Sequence, residues 1–276
     1  LVIGGGIVGA GVLRDAAMRG LRAALVEQHD FAFGTSSRSS RLLHGGIRYL
    51  AQGDIRLVRE ASVEKRILSR VAGHLAEPLA FTFPTFRDQE HWKLWQLKIG
   101  VKLYDALCGW RNLGESQWLS REQALKHLPM LRGDKLTGAV RYFDALTNDA
   151  RLVIDTLRSA HQHGAMLARD VKFERATQQP GGLWECVVTD LLRKCEIKLH
   201  TRALVTAGGA WSGQLPYSRL PLRLTKGVHL VIDHVRLPVT DAVVMTEGRR
   251  VLFAIPWGKR IILGTTDTDF AGDLDD

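Results

Sequence analysis

At 276 residues, 45% hydrophobic and 24% charged, the chain has the make-up of a soluble globular protein long enough for two packed domains, which excludes a disordered or fibrous chain. A formal charge of +9 attracts anions such as phosphorylated metabolites, acidic lipid headgroups or nucleic acid, yet no run of Lys and Arg reads as a nucleic-acid tail. The three cysteines, Cys108, Cys186 and Cys195, form no CxxC pair and no metal-ligand spacing, so no metal site is expected and a reducing compartment is.

No stretch of about 18 apolar residues offers a spanning helix. Leu1-Val2-Ile3 reads as the middle of a strand, and Gly272 to Asp276 stops without a closing element. Both ends are therefore expected to be cut, with any signal peptide or C-terminal domain outside the chain.

Leu1-Val2-Ile3 is a short apolar run of the kind found in a buried parallel strand. It leads into Gly4-Gly5-Gly6-Ile7-Val8-Gly9, a G-x-G-x-x-G spacing on Gly4, Gly6 and Gly9. That spacing is weak alone and gains force from a strand before it and a helix after it. Ile7, Val8, Val12, Leu13, Ala16 and Ala17 recur at helical spacing, and Gly20 stops the helix. Leu21 to Val26 reads as a second buried strand that ends at Glu27, placed to hydrogen-bond a ribose hydroxyl and to repel a 2′-phosphate. The glycines let the backbone approach a pyrophosphate lying on the helix N-terminus. NAD enzymes and flavoproteins share all of this.

The next block runs from Gly34 to Leu50 and contains Thr35, Ser36, Ser37, Ser39 and Ser40, then His44-Gly45-Gly46-Ile47-Arg48-Tyr49. Composition alone reads it as a polar, capped loop. Its motif, T-S-S-x-S-S-[KR]-L-x-H-G-G-x-R-Y-L, together with the G-x-G-x-x-G and later blocks, resembles the FAD-dependent glycerol-3-phosphate dehydrogenases along nearly the whole chain. The resemblance implies that Thr35, Ser36, Ser37, Ser40, His44 and Gly45 lie along FAD. It also implies that Arg48 and Tyr49 reach the substrate.

Residues 54 to 71 read as an amphipathic helix, and Pro78 and Pro84 suggest a crossing into another domain. Residues 90 to 108 predict a helix with two apolar stripes, Trp92, Trp95, Ile99 and Leu103 on one side and Leu97, Val101 and Tyr104 on the other, with lysines between. Such a helix is buried between two protein layers or rests on a bilayer surface. The resemblance favours attachment to a membrane. Asn148-Asp149 caps a helix to about His163. Strands follow over Leu167 to Val171, Phe173 to Thr177, Trp184 to Thr189 and Glu196 to Leu199. The resemblance brings Val171 past the adenine. It also brings Ala207-Gly208-Gly209-Ala210-Trp211, a mild departure from the family's A-[TG]-G-x-W, to the dinucleotide through Ala207, Gly208 and Trp211.

In Lys226 to Ile232 the alternation puts Val228, Leu230 and Ile232 on one face and His229 on the other, where a histidine is ordinarily solvated. The family's K-G-x-H instead points into the substrate site. Leu252 to Ile255 and Ile261 to Gly264 read as a hairpin with a glycine turn. Gly264-Thr265-Thr266-Asp267 resembles the family's G-T-T-D beside the flavin, which puts Thr266 and Asp267 in the site.

Oxidising a secondary alcohol removes a proton from oxygen and a hydride from carbon, and flavin accepts the hydride. A base near neutrality is needed, which makes His229 the first choice, with His44 as the alternative or a flavin-facing partner. Arg48 grips the phosphate and Tyr49 orients a hydroxyl. The reaction so implied converts sn-glycerol 3-phosphate to dihydroxyacetone phosphate and passes electrons to quinone. A glycerol-3-phosphate oxidase, another amine or amino-acid oxidase of this build, an NAD-dependent dehydrogenase and an inert FAD-binding fragment are the rivals. The expected architecture is α/β. A Rossmann-like FAD-binding domain (1–73 and 143–212) holds an inserted α+β substrate domain on an antiparallel sheet (74–142 and 213–276). The expected setting is cytoplasmic, on the inner face of the cytoplasmic membrane, with a homodimer as one possible assembly.

Overall fold

The computed structural model describes the chain apart from residues 90, 91, 110, 111, 217, 219, 248, 249, 275 and 276, and apart from the side chains of 48, 51, 52, 247 and 250. In chain order, strand β1 (Val2–Ile3), helix α1 (Ile7–Met18) and β2 (Ala24–Val26) come first. They are followed by β3 (Leu42–Leu43), α2 (Ile55–Val71), β4 (Glu77–Phe86), α3 (Leu94–Leu107), β5 (Gln117–Leu119), α4 (Arg121–His127) and β6 (Leu136–Leu146). Then come α5 (Asp149–Gln162), β7 (Met166–Ala168), β8 (Val171–Gln178), β9 (Trp184–Asp190), β10 (Cys195–Thr201) and β11 (Val205–Thr206). The remaining strands are β12 (Thr225–Lys226), β13 (Leu230–Asp233), β14 (Ala242–Glu247), β15 (Arg250–Trp257), β16 (Arg260–Gly264) and β17 (Thr268–Asp269).

These elements form two compact units. The first comprises Leu1–Ser39, Asn148–Thr225 and Asp269–Asp276, the second Ser40–Thr147 and Lys226–Thr268. The first unit is Rossmann-like: a parallel sheet in the order β11-β1-β2-β7, with Val2 opposite both Val205 and Leu25. Its strands are short apolar runs because both faces are covered. Val2 and Leu25 share a cluster with Leu13 of α1 and with Val153 and Leu157 of α5. Ile3 and Val26, one residue on, turn to the other face and pack with Phe173, Cys186 and Val188 of the antiparallel β10-β9-β8 sheet. Each fully buried leucine here contributes about 1.5–3 kcal/mol. Asn148 caps α5 by accepting from the Arg151 N–H, and Gly20 ends the turn after α1 at φ +77°.

The second unit is α+β. Its sheet runs β13-β16-β15-β14-β4-β6-β3, with β5 on β6, and is antiparallel except where β14 meets β4, Ala242 opposite Phe81. Helices α2 and α3 cover one face through Val58, Leu97, Val101 and Tyr104 against Phe81, Val140, Tyr142 and Ile255. The opposite face gathers Leu128, Val243, Ala254 and Ile261. Single-residue alternation such as Ala254 against Ile255 divides the two cores.

The observed division differs from the expected boundaries. The chain leaves the first unit after Ser39 and not after residue 73, because α2 buries Val58, Ser62 and Lys65 within the second unit and Leu42 of β3 pairs with Leu146 of β6. Likewise 213–225 stays with the first unit, where Leu215 joins the β8–β10 cluster. Of the two stripes on α3, Leu97, Val101 and Tyr104 are buried, while Trp95 and Ile99 are each 62% exposed and Leu103 42%. Trp92 precedes the helix and packs on Phe83, ring centroids 5.9 Å apart, so it leaves the outer stripe.

Candidate active site

The turn from β1 into α1 is shaped by its glycines. Gly4 has φ +110°, and a Cβ there would lie 2.4 Å from the Ala207 carbonyl oxygen. A Cβ on Gly9 would lie 1.9 Å from the Gly4 carbonyl, so α1 approaches the turn closer than any side chain permits. Gly6 is the N-cap of α1, with no side-chain cap and no acid in the first turn, which leaves the positive end of the helix for an anion. Ile7 donates its N–H to Ser36 Oγ at 3.1 Å.

Glu27, at the end of β2, accepts the Gly5 N–H at 2.7 Å on one oxygen and the His29 N–H at 2.8 Å on the other. Its carbonyl accepts the Val171 N–H at 2.9 Å. Ala207 and Gly208 follow β11, and Trp211 lies in the short 3₁₀ turn Gly209–Gly213 with its ring 6.4 Å from that of Phe33. A Cβ on Gly34 would sit 3.0 Å from the Trp211 ring. The first unit thus gathers Gly4, Gly6, Gly9, Glu27, Ser36, Val171, Ala207 and Gly208 beyond the carboxyl ends of its parallel strands, where open α/β sheets bind ligands.

The serine run is divided. Thr35–Ser37 form a 3₁₀ turn in which Ser37 Oγ donates to the Phe33 and Gly34 carbonyls, both at 3.2 Å. Ser40 belongs to the second unit, where its Oγ is 2.8 Å from His229 Nε2. His229 is half-buried, whereas Val228 is 46% and Leu230 65% exposed. Val228 and Leu230 are the exposed side chains, and His229 is turned in toward Ser40. Burial lowers its pKa below the ordinary 6.5, so the ring is neutral at pH 7.

Two connections fix the backbone around it. Val228 donates its N–H to Thr266 Oγ1 at 3.0 Å, and the Thr266 N–H reaches the Val228 carbonyl at 3.3 Å. Gly264 lies so close that a Cβ would be 2.9 Å from both His229 Cδ2 and the Val228 carbonyl oxygen. Asp267 is exposed beside Thr266. The structure therefore brings Ser40, His229, Gly264 and Thr266 together.

His44, Gly45 and Gly46 follow β3. Gly46 is left-handed at φ +71°, and a Cβ there would strike the Tyr49 ring at 2.6 Å. Tyr49 lies in the 3₁₀ turn Ile47–Gln52, partly buried against the α2–α3 core. The side chain of Arg48 lies outside the described residues.

Sequence reasoning missed two features. The Arg41 guanidinium lies over the Trp257 ring, 4.2 Å from its centroid. Lys65 and Asp144 are buried as an ion pair at 2.6 Å. The signal of the second was local: Lys65 shares a helical face with Val58 and Ser62, and Asp144 shares a strand face with Val140 and Tyr142.

Known proteins agree with this architecture. Residues 1–276 match the family described as DAO, FAD dependent oxidoreductase. The alpha-glycerophosphate oxidase of Streptococcus pyogenes serotype M3 is 38% identical over 287 residues, covering 100% of this chain and 47% of the relative. The glycerol-3-phosphate dehydrogenase of Mycobacterium leprae is 37% identical over 280 residues, covering 99% and 48%. The chain spans about half the length of the curated relatives it matches. Among solved structures, the glycerol-3-phosphate dehydrogenase of Bacillus halodurans complexed with FAD superposes with TM-score 0.79 at 31% identity, over 100% of this chain and 48% of that one. Glycine oxidase from Geobacillus kaustophilus shares the fold, with TM-score 0.68 at 19% identity over 99% and 72%. The chain belongs to the DAO family of FAD-dependent oxidoreductases, and FAD is its cofactor.

Proposed function

We propose that the protein oxidises sn-glycerol 3-phosphate to dihydroxyacetone phosphate with FAD, and passes the electrons to a membrane quinone. The observation that carries this reading is the half-buried, neutral His229 held by Ser40 and flanked by the Gly264–Thr266 loop. The names of the glycerophosphate-oxidising relatives support the substrate.

The residues present fit FAD. Gly4 and Gly9 provide a cradle that any Cβ would fill, the α1 N-terminus, which begins at Gly6 with no acid in its first turn, takes the pyrophosphate, and Glu27 is fixed by two backbone N–H groups with lone pairs left for the ribose. Thr35, Ser36, Ser37, Val171, Ala207, Gly208 and Trp211 complete the adenosine and pyrophosphate contacts. His44 and Gly45 meet the flavin end. Bound FAD supplies the hydride acceptor.

The chain's own residues do the rest. His229 takes the proton of the C2 hydroxyl at Nδ1, in the tautomer whose Nε2–H donates to Ser40 Oγ and so orients the ring. His44 is the alternative base. Arg48 binds the phosphate, Tyr49 orients a hydroxyl, and Thr266 and Asp267 line the same site.

Peripheral attachment to the inner face of the cytoplasmic membrane is supported by the outer stripe of α3. Trp95, Ile99 and Leu103 are exposed, and the ammonium groups of Lys98 and Lys102 lie 5.3 and 6.0 Å from the centroid of the exposed Trp118 ring. Among the described residues, no helix is long and apolar enough to cross a membrane. A homodimer on that surface is part of the same proposal.

The name of the Streptococcus relative favours a second reading, in which oxygen is the acceptor. Turnover of glycerol 3-phosphate with a soluble quinone analogue and with oxygen alone distinguishes the two. Dihydroxyacetone phosphate formed only with quinone supports the dehydrogenase, equimolar peroxide supports the oxidase, and no product with either acceptor rejects both.

A further inference from the structure

The second unit buries a lysine and an aspartate that the proposed chemistry does not use: Lys65 is 4% and Asp144 2% exposed. Lys65 Nζ donates to Asp144 Oδ1 at 2.6 Å, to Asn112 Oδ1 at 2.9 Å, and at 3.3 Å to both the Phe143 carbonyl and the Tyr104 hydroxyl. Tyr104, 0% exposed, donates its own hydroxyl to Asp144 Oδ1 at 2.5 Å. Burial, and then the adjacent Asp144 carboxylate, raises the Tyr104 pKa well above 10, so it remains a donor. Desolvating two charges costs several kcal/mol per ion, and a well-packed apolar pair at such a site is often as stable or more so. Stability alone does not account for the arrangement.

The network ends on a backbone group of the His44-Gly45-Gly46 turn. The Gly45 N–H donates to Tyr104 Oη at 2.9 Å and, as a second branch, to Asp144 Oδ1 at 3.2 Å. A Cβ on Gly45 would lie 2.3 Å from that hydroxyl and 2.5 Å from Ser62 Oγ, so the backbone rests directly on the polar cluster. On the next residue, the left-handed Gly46 sits against the Tyr49 ring. The turn is thus clamped by hydrogen bonds at one glycine and by packing at the other. A second ion pair offers the contrast. Asp241 accepts from Arg141 and Thr82 and bonds to His127, and these bonds join β4, β6 and α4 and do not reach this turn.

We infer that Lys65, Asp144 and Tyr104 are positioning residues that act through the Gly45 amide to set how the His44–Gly46 turn meets FAD, and thereby the affinity and redox environment of the flavin. The inference rests on the reading of His44 and Gly45 as cofactor-facing.

The test uses the holoenzyme and four variants: Tyr104→Phe, Lys65→Met, His44→Ala, and Arg141→Met as the control ion pair. Three quantities are read on each: the FAD dissociation constant from flavin fluorescence, the visible spectrum and midpoint potential of the bound flavin, and the thermal midpoint. Tyr104→Phe removes one oxygen and keeps the ring, and is expected to weaken FAD about tenfold, the upper range for one net hydrogen bond, and to shift spectrum and potential. Arg141→Met is expected to lower the thermal midpoint while leaving the flavin at wild-type values. Wild-type flavin properties in both Tyr104→Phe and Lys65→Met, with His44→Ala altered, would overturn the inference and leave the network purely structural. A His44→Ala flavin that also matches wild type removes the cofactor-facing reading itself, and the inference with it.

Discussion

Ser40 Oγ lies 2.8 Å from His229 Nε2 across 189 positions of sequence, and it holds the ring at the nitrogen opposite the one proposed to take the substrate proton. Replacing His229 by Ala is expected to slow anaerobic flavin reduction by about 10²–10⁴-fold, the usual worth of a positioned base, with FAD still bound. Ser40→Ala keeps the base and loses its orientation, with an expected loss of about tenfold or less. Stopped-flow absorbance measures both. An unchanged rate in His229→Ala removes the histidine from the base role.

The same contact has a pH signature. Because burial lowers the His229 pKa, the imidazole stays neutral, and able to accept a proton, to below the ordinary 6.5. The acidic limb of the kcat/KM profile is therefore expected below pH 6.5, and should disappear in His229→Ala. A limb above 6.5 would contradict the assignment.

Arg48→Ala is expected to cost glycerol 3-phosphate about 10–100-fold in kcat/KM, the range for a hydrogen bond to a charged group, and to cost unphosphorylated glycerol almost nothing. Equal losses on the two substrates would mean that Arg48 does not bind the phosphate.

Gly9→Ala places a methyl 1.9 Å from the Gly4 carbonyl, a backbone atom that cannot turn aside. Loss of FAD from the purified protein is expected, read as the ratio of flavin to protein absorbance. Full flavin content would show that the cradle is looser than its geometry.

Burial opposes charge on Asp241, but hydrogen bonds from Arg141, His127 and Thr82 outweigh it and hold the carboxyl below its ordinary range. A folded pKa below the unfolded one gives stability that is present above about pH 4 and lost as pH falls through the folded value. Asp241→Asn should therefore destabilise by roughly 2 kcal/mol at pH 7 and by progressively less in acid. Chemical denaturation at the two pH values checks the sign.

Trp95→Ser with Ile99→Ser is expected to weaken binding to anionic lipid vesicles without changing the thermal midpoint, since both side chains are exposed. Unaltered vesicle binding would remove α3 from the membrane surface.

Much of this was legible in local spacing. α1, α2 and α5 follow from apolar residues at helical intervals and, for α5, from the cap Asn148, because those signals involve neighbours within one turn. The parallel strands followed from apolar runs, although Leu21–Val26 shortens to Ala24–Val26. Other features depend on partners far along the chain. His229 turns inward because Ser40 and Gly264 receive it, which the alternation within Lys226–Ile232 does not show by itself. The α2 boundary was misplaced for the same reason, since an amphipathic helix does not say which sheet it covers. Lys65 and Asp144 went unread, because each is a single charge on an apolar face and only the fold pairs them and leads them to Gly45.

The most direct test is an anaerobic absorbance scan of the purified holoenzyme before and after addition of glycerol 3-phosphate. Bleaching of the flavin band by glycerol 3-phosphate, with none by glycerol alone, is the predicted result. A flavin band that persists with substrate in excess would contradict the proposed activity.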